Sequence, residues 1–318
     1  MRILITGVTG FAGSFLAEEL LNQTKEHTIF GTNRENVPSY FRPIVDKVKL
    51  FSGDLEQLHF IEDVIKSVKP DVIFHLAAKA NTAQSFHSAS ETILSNLKIQ
   101  LQLFDSVLKY NLNSKIIIAS SAEVYGIVAE KDNPISETLP VNPGTPYGMS
   151  KTAQDLAAYT YFKSNQLQTI RLRLFNHTGP RQRESFVIPS FAKQIVAIEK
   201  DHTKERKIFV GNLNAVRDFC DVRDIAKAYV AAMEKGEIGA VYNVGSGKGY
   251  KLKELLQELL HFAQIPIEIM VDQNRLRKVD LPVTICNNHK FCFQTKWAPC
   301  IPISQTLEDI INYWRNIL

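Results

Sequence analysis

The stretch Gly7-Val-Thr-Gly10-Phe-Ala-Gly13 constrains this chain more than any other, because it joins the apolar run Arg2–Thr6 to a segment carrying Phe15, Leu16, Leu20 and Leu21. Three glycines in seven residues let the backbone turn tightly from a strand into a helix and leave the first helical amides open to an anion. An ordinary strand-to-helix turn would use the same spacing. Further apolar runs of strand length follow at His27–Gly31, Val48–Ser52, Asp71–Leu76, Lys115–Ala119 and Leu167–Leu174. Helix-length amphipathic segments separate them at Phe11–Asn22, Leu55–Val68, Ser88–Tyr110 and Tyr147–Ser164. This alternation predicts an α/β fold with a doubly wound parallel sheet, covered on both faces and joined by right-handed crossovers.

After Asn176 the pattern loosens, with Pro180, Pro189, Pro282, Pro299 and Pro302 between shorter segments. Helices are expected there near Ile188–Glu199, Val222–Glu234, Leu252–Ala263 and Ile303–Ile317. The expected organisation is a dinucleotide-binding Rossmann part over residues 1–175 and a smaller, mainly substrate-binding part over 176–318. Some segments of the second part, such as Val222–Glu234, are expected to return to the first. With 318 residues, 45% of them hydrophobic, the chain can bury a large core without staples. Its net charge of +4 is scattered among acids, which argues against nucleic acid as a partner. Cys220, Cys286, Cys292 and Cys300 form no paired motif and read as reduced thiols. Because Arg2–Thr6 opens the fold at once and no run approaches the ~20 apolar residues of a membrane span, a cytoplasmic protein without membrane partners is expected.

In a Rossmann sheet the glycine loop, here Gly7, Thr9, Gly10, Phe11, Ala12 and Gly13, meets the diphosphate of a dinucleotide. An acidic residue at the end of the second strand would accept from the adenosine 2′-OH of NAD. That place reads Asn33-Arg34, with no carboxylate before Glu35, a composition suited to a 2′-phosphate. NADP(H) is therefore favoured and NAD(H) is the alternative, as is a plain solvated role for Arg34. Asp54 and Leu55 after the third strand, and Leu76, Ala77 and Ala78 after the fourth, complete the expected cofactor wall. Asp54 could bond the adenine amine or simply cap the next helix.

Tyr147 and Lys151 stand four residues apart on one helix face behind Pro146. Lys151 is expected to lower the phenol pKa and hold the nicotinamide ribose while Tyr147 exchanges a proton with a sugar oxygen. Ser121, at the carboxyl end of the fifth strand, could donate to a developing oxyanion. A second pair of the same spacing, Tyr159 and Lys163, lies about 120° round the helix and reads as surface or packing.

The glycine loop, Ser121, Tyr147 and Lys151 resemble those of the extended short-chain dehydrogenases/reductases. Leu174–Pro180, Phe186–Gln194, Val210–Leu213, Arg217–Phe219, Tyr242–Gly247 and Arg277–Asp280 resemble the GDP-sugar branch of that family. The likeness is nearest to GDP-4-dehydro-6-deoxy-D-mannose reductases, which make GDP-D-rhamnose, with GDP-mannose 4,6-dehydratases second. It implies that Asn176, Lys193, Arg217 and Arg277 hold a GDP-linked sugar, that Asp280 binds its ribose and that Ser85 and Val187 line the substrate. It also implies a homodimer built on Ser88–Tyr110 and Tyr147–Ser164.

Glu123 stands where the dehydratases carry a catalytic glutamate, which makes it a candidate acid/base. Ser121 and Ala122 depart from the dehydratase pattern of Thr followed by Ser or Asp, and Phe175–Pro180 with Arg217–Asp224 look more like the reductases. The expected reaction is NADPH-dependent reduction of a 4-keto group, with 4,6-dehydration or epimerisation as alternatives. A sensor that binds NADP(H) without turnover is disfavoured by the intact Ser121, Tyr147 and Lys151.

Overall fold

The computed structural model describes residues 1–24, 26–34, 36–201, 203, 205–276 and 282–318. The first half runs β1 (Arg2–Thr6), α1 (Phe11–Leu21), β2 (Thr28–Asn33), β3 (Val48–Ser52), α2 (Leu58–Val68), β4 (Val72–His75), α3 (Thr82–Ser85), α4 (Ala89–Lys109), β5 (Lys115–Ser121), α5 (Pro146–Asn165) and β6 (Thr169–Leu174). The second half continues with β7 (Asn176–Thr178), α6 (Val187–Lys200), β8 (Lys207–Val210), β9 (Val216–Asp221), α7 (Val222–Lys235) and β10 (Val241–Val244). It ends with β11 (Gly249–Lys251), α8 (Leu252–His261), β12 (Glu268–Val271), β13 (Val283–Thr284), α9 (His289–Thr295) and α10 (Ile303–Ile317).

Seven strands form one parallel sheet in the order β10-β6-β5-β4-β1-β2-β3. Side chains alternate across it, so Ile3 and Ile5 face one layer and Leu4 the other. The first layer holds Leu16, Leu20, Phe74, Ile117, Leu172 and Tyr229, and the second holds Ile61, Ile65, Ile73, Leu103, Phe104 and Ile118. Chain direction across the sheet switches between β1 and β4, and Thr6 is level with His75 there. Ser121 is level with Leu174 on the next pair. The carboxyl ends of β1, β4, β5 and β6 thus converge where open α/β sheets bind ligands.

A second core gathers Ile188, Phe191, Ile195, Leu256, Leu259, Leu307 and Ile310 from α6, α8 and α10. Beside it β8 pairs with β12, and β9 is joined by β7, β11 and β13. Two segments of the second half serve the large sheet, since α7 packs on α1 and β10 extends the sheet beyond β6. Among the described residues no helix is long and apolar enough to cross a membrane.

Several boundaries differ from expectation by one to three residues. β2 continues through Asn33, α2 begins at Leu58 after N-cap Gln57, and β6 begins at Thr169. Asp54 does not cap α2, because its Oδ1 accepts from the Glu56 amide at 3.0 Å in the turn before the helix. β10 and the small sheets around β9 escaped the sequence reading, because runs of two to six residues interrupted by Asn, Asp or Arg carry little periodicity.

Candidate active site

The glycine loop is compact for steric reasons. A Cβ on Gly13 would lie 2.4 Å from the Gly7 carbonyl oxygen, and Gly7 itself sits at φ +71 against Ala77. The N-cap of α1 is Gly10, which has no side chain to bond the first amides, and no acidic residue stands in the first turn. This leaves the positive end of the helix to an anion. The Tyr40 hydroxyl donates to the Thr9 carbonyl at 2.9 Å, and Phe11 stacks on His177 with centroids 5.8 Å apart. Ala12 packs beside them.

Arg181 clamps α1 from the second half. Its guanidinium pairs with Glu18 at 2.9 Å, bonds Ser14 at 3.3 Å and lies 4.3 Å from the Phe15 ring centre. It does so from a left-handed backbone conformation, φ 73. At the adenosine end, Asn33 is buried and accepts from Ser52 Oγ at 3.0 Å. Lys79, bonded to Glu91, and nearby Arg34 together hold the Glu91 carboxyl below its ordinary value. β2 therefore delivers an amide followed by a cation rather than a carboxylate. An uncapped helix end with these groups fits a dinucleotide bearing an extra phosphate. Leu55 is buried in the sheet core, while Asp54, Leu76, Ala77 and Ala78 are half-buried at the strand ends.

Thr6 and His75 join those strand ends. Thr6 Oγ1 accepts from the Leu76 and Ala77 amides at 3.1 and 3.2 Å, so its proton goes to His75 Nδ1 at 3.0 Å. That bond leaves the His75 proton on Nε2, which is buried and has no partner among the described residues. Burial, followed by the charge of Lys151, pushes the imidazole down to about 3, so it is neutral at physiological pH.

Ser121 closes β5, and its hydroxyl accepts from the Glu123 amide at 3.2 Å. α5 starts on Thr145, whose Oγ1 accepts from the Gly148 amide at 2.9 Å and donates to Glu123 Oε2 at 3.3 Å. Burial pushes the Tyr147 phenol above its ordinary value and the negative charge of Glu123 adds to the rise, while a hydrogen bond with Ser121 opposes it. Lys151, buried beneath, donates to the Ala119 carbonyl at 2.8 Å, and burial lowers it to about 8. This corrects the expectation that Lys151 lowers the phenol. Desolvation and Glu123 dominate, and the ammonium is directed to a backbone carbonyl.

Ser85 is buried, and its hydroxyl donates to the Thr82 carbonyl at 2.6 Å while accepting from the Tyr147 amide at 3.2 Å. The second bond seats the head of α5 against α3, and the side chain has almost no exposed surface to offer a sugar. Tyr159 is exposed at 42%, with Lys163 5.7 Å from its ring centre, away from Ser121.

On the second half, Asn176 opens β7 beside Phe219, and Val187 begins α6. Lys193 pairs with Glu184 at 2.8 Å and lies 5.5 Å from the Trp314 ring centre. Arg217 is buried at 8% exposure and donates to its neighbour's carbonyl, Val216 O, at 3.0 Å. Arg277 and Asp280 lie outside the described residues. Asp218, missed in the sequence, is fully buried and accepts from the amides of Ser246, Gly247 and Cys286 at 2.8, 2.8 and 3.1 Å. It ties β9 to the loop after β10. Its only sequence signal was its place beside Arg217.

The family described as GDP-mannose 4,6 dehydratase matches residues 4–310 of the chain. A GDP-6-deoxy-D-mannose reductase of Pseudomonas aeruginosa is 32% identical over 99% of this chain and 97% of its own length. A GDP-mannose 4,6-dehydratase of Vibrio cholerae is 30% identical over 80% of this chain and 70% of its own. Among solved structures, RMD from Pseudomonas aeruginosa complexed with NADPH superposes with a TM-score of 0.87 at 30% identity, covering 100% of both chains.

Proposed function

Because this chain belongs to the GDP-mannose 4,6-dehydratase family of NAD(P)-dependent enzymes that modify nucleotide sugars, we propose that it reduces the 4-keto group of a GDP-4-keto-6-deoxyhexose with NADPH. The observation that carries this reading is the placement of Tyr147 at the head of α5, one helical turn before the buried Lys151 and near Ser121 at the end of β5. A reductase needs a proton donor at this place, and a phenol, which carries its proton at neutral pH, can supply it.

When bound, the dihydronicotinamide supplies the hydride that a ketone carbon accepts. Ser121 donates a hydrogen bond to the ketone oxygen, and Tyr147 passes its proton to that oxygen as the carbon is reduced, giving the secondary alcohol. Lys151, protonated below about pH 8, holds the ribose side of the cofactor. The glycine loop and the start of α1 take its diphosphate, and Asn33 and Arg34 take the 2′-phosphate. Asn176, Lys193 and Arg217 hold the sugar nucleotide, with Arg277 and Asp280, and Val187 lines it. Residues 1–175 thus present the cofactor and 176–318 present mainly the substrate.

A second reading, 4,6-dehydration, is favoured by one observation, the closeness of Glu123 to Tyr147, which supplies the extra acid/base that elimination requires. The wider coverage of the reductase relative supports reduction. The deciding assay gives the protein GDP-4-keto-6-deoxymannose and NADPH and follows absorbance at 340 nm. Stoichiometric NADPH oxidation, with the configuration of the product alcohol, is the expected result. No oxidation, together with formation of a 4-keto-6-deoxy product from GDP-mannose, would replace this reading by dehydration and give Glu123 the added role.

A further inference from the structure

The carboxylate of Asp155 has no exposed surface and accepts four hydrogen bonds. Arg173 donates from Nε at 3.1 Å and Nη2 at 3.0 Å, Arg171 from Nη1 at 3.2 Å, and Ser120 from Oγ at 2.8 Å. Two guanidiniums are one more than neutrality requires, and desolvating each charge costs several kcal/mol. Such an arrangement adds little net stability. It does fix geometry, because forked donors from β6 and a hydroxyl from β5 constrain one helix from two sides.

The arms of this network end on every element of the proposed reaction site. Asp155 lies one helical turn beyond Lys151 and two beyond Tyr147 on α5. Ser120 precedes Ser121 on β5. Arg173 also donates from Nη1 to the Tyr125 hydroxyl at 2.9 Å, and Tyr125 closes the short 3-10 turn, Ala122–Tyr125, that carries Glu123. Tyr125 in turn donates to Asn243 Oδ1 at 2.8 Å on β10, whose Nδ2 bonds the Ile135 carbonyl at 2.9 Å.

We propose that Asp155 is a positioning residue whose carboxylate locks α5 against β5 and β6, so that Tyr147, Lys151, Ser121 and the Glu123 turn share one register. The proposal rests on the assignment of Ser121 and Tyr147 to the reaction, while the network of bonds stands apart from it. Asp155→Asn would remove the countercharge of two buried guanidiniums and destabilise the chain as a whole, so the deciding variant is Ser120→Ala. It removes the β5 arm and leaves the three guanidinium bonds in place.

In Ser120→Ala, kcat for the 4-keto sugar is expected to fall about tenfold with KM within about twofold, as a small misplacement of reacting groups does. The melting temperature stays within about 3 °C of wild type. A crystal structure of Ser120→Ala is expected to show the bond from Lys151 to the Ala119 carbonyl, which ties α5 to β5, broken. A kcat within twofold of wild type, or an undisturbed Lys151–Ala119 bond in the variant crystal, overturns the proposal. Wild-type protein inert toward the 4-keto sugar would instead sink the proposed reaction, and the crystallographic comparison would still decide the role of Asp155.

Discussion

Burial, followed by the negative charge of Glu123, pushes the Tyr147 phenol above its ordinary value, and at neutral pH it carries its proton. Replacing it by Phe should lower kcat by about 10²- to 10⁴-fold, the usual worth of a positioned acid, with NADPH affinity changed by no more than a few-fold in a fluorescence titration. Lys151→Ala should impair both. His75 supplies a pH prediction. The unfolded imidazole takes its proton near the ordinary value of 6.5, whereas the folded one resists until about 3. Unfolding therefore takes up a proton in that window, and stability is lost as pH falls from 6.5 towards 3. His75→Gln, which cannot titrate, should show a shallower fall in melting temperature between pH 6.5 and 4 than wild type, and equal slopes would remove this account. Ser121, Tyr147 and Lys151 were legible in the sequence because strand end, Pro146 and four-residue spacing are local signals. The direction of the phenol shift was not, since it depends on burial and on a charge brought in from a different turn. Neither Asp155 nor His75 carries a local signal, as each acts through partners distant in the chain.

The glycine loop shows how far an element can be read from its residues. Strand, turn and helix followed from Gly7, Gly10 and Gly13, but the clamp laid over α1 by Arg181 did not, because its partners Glu18, Ser14 and Phe15 lie more than 160 residues away. A side chain at φ 73 costs of order 1–3 kcal/mol, and here the guanidinium contacts offset it. Arg181→Ala keeps the strain and loses the contacts, whereas Arg181→Gly loses both. The glycine variant should therefore be the more stable of the two by about 1 kcal/mol in denaturant unfolding. The reverse order would mean that the left-handed backbone at residue 181 relaxes when the side chain is lost. α2 and β2 differed from expectation by two or three residues at their ends, the usual limit where a turn such as that of Asp54 competes with the helix start.

At the scale of the whole molecule, α4 and α5 pack on each other and leave Leu94, Met149 and Leu156 exposed at 65%, 47% and 49%. We expect a homodimer that covers this outer face with the same helices of a second copy. Leu94→Lys combined with Leu156→Lys should convert the dimer to a monomer in light scattering after gel filtration, and an unchanged mass would place the interface elsewhere. The alternation of strands and helices made six strands of the large sheet legible, whereas the seventh, β10, has only four residues and is separated from β6 by β7, α6, β8, β9 and α7. That separation has a consequence during synthesis. Between emergence of β6 and of β10 the ribosome adds roughly 70 residues, which takes about 3–14 s at ordinary elongation rates. Throughout that interval the nascent sheet ends in a bare parallel edge able to recruit strands from other chains. A pause in translation between these strands would prolong that exposure, so codon choice and chaperone supply over residues 175–240 should govern how much of this protein reaches its folded form.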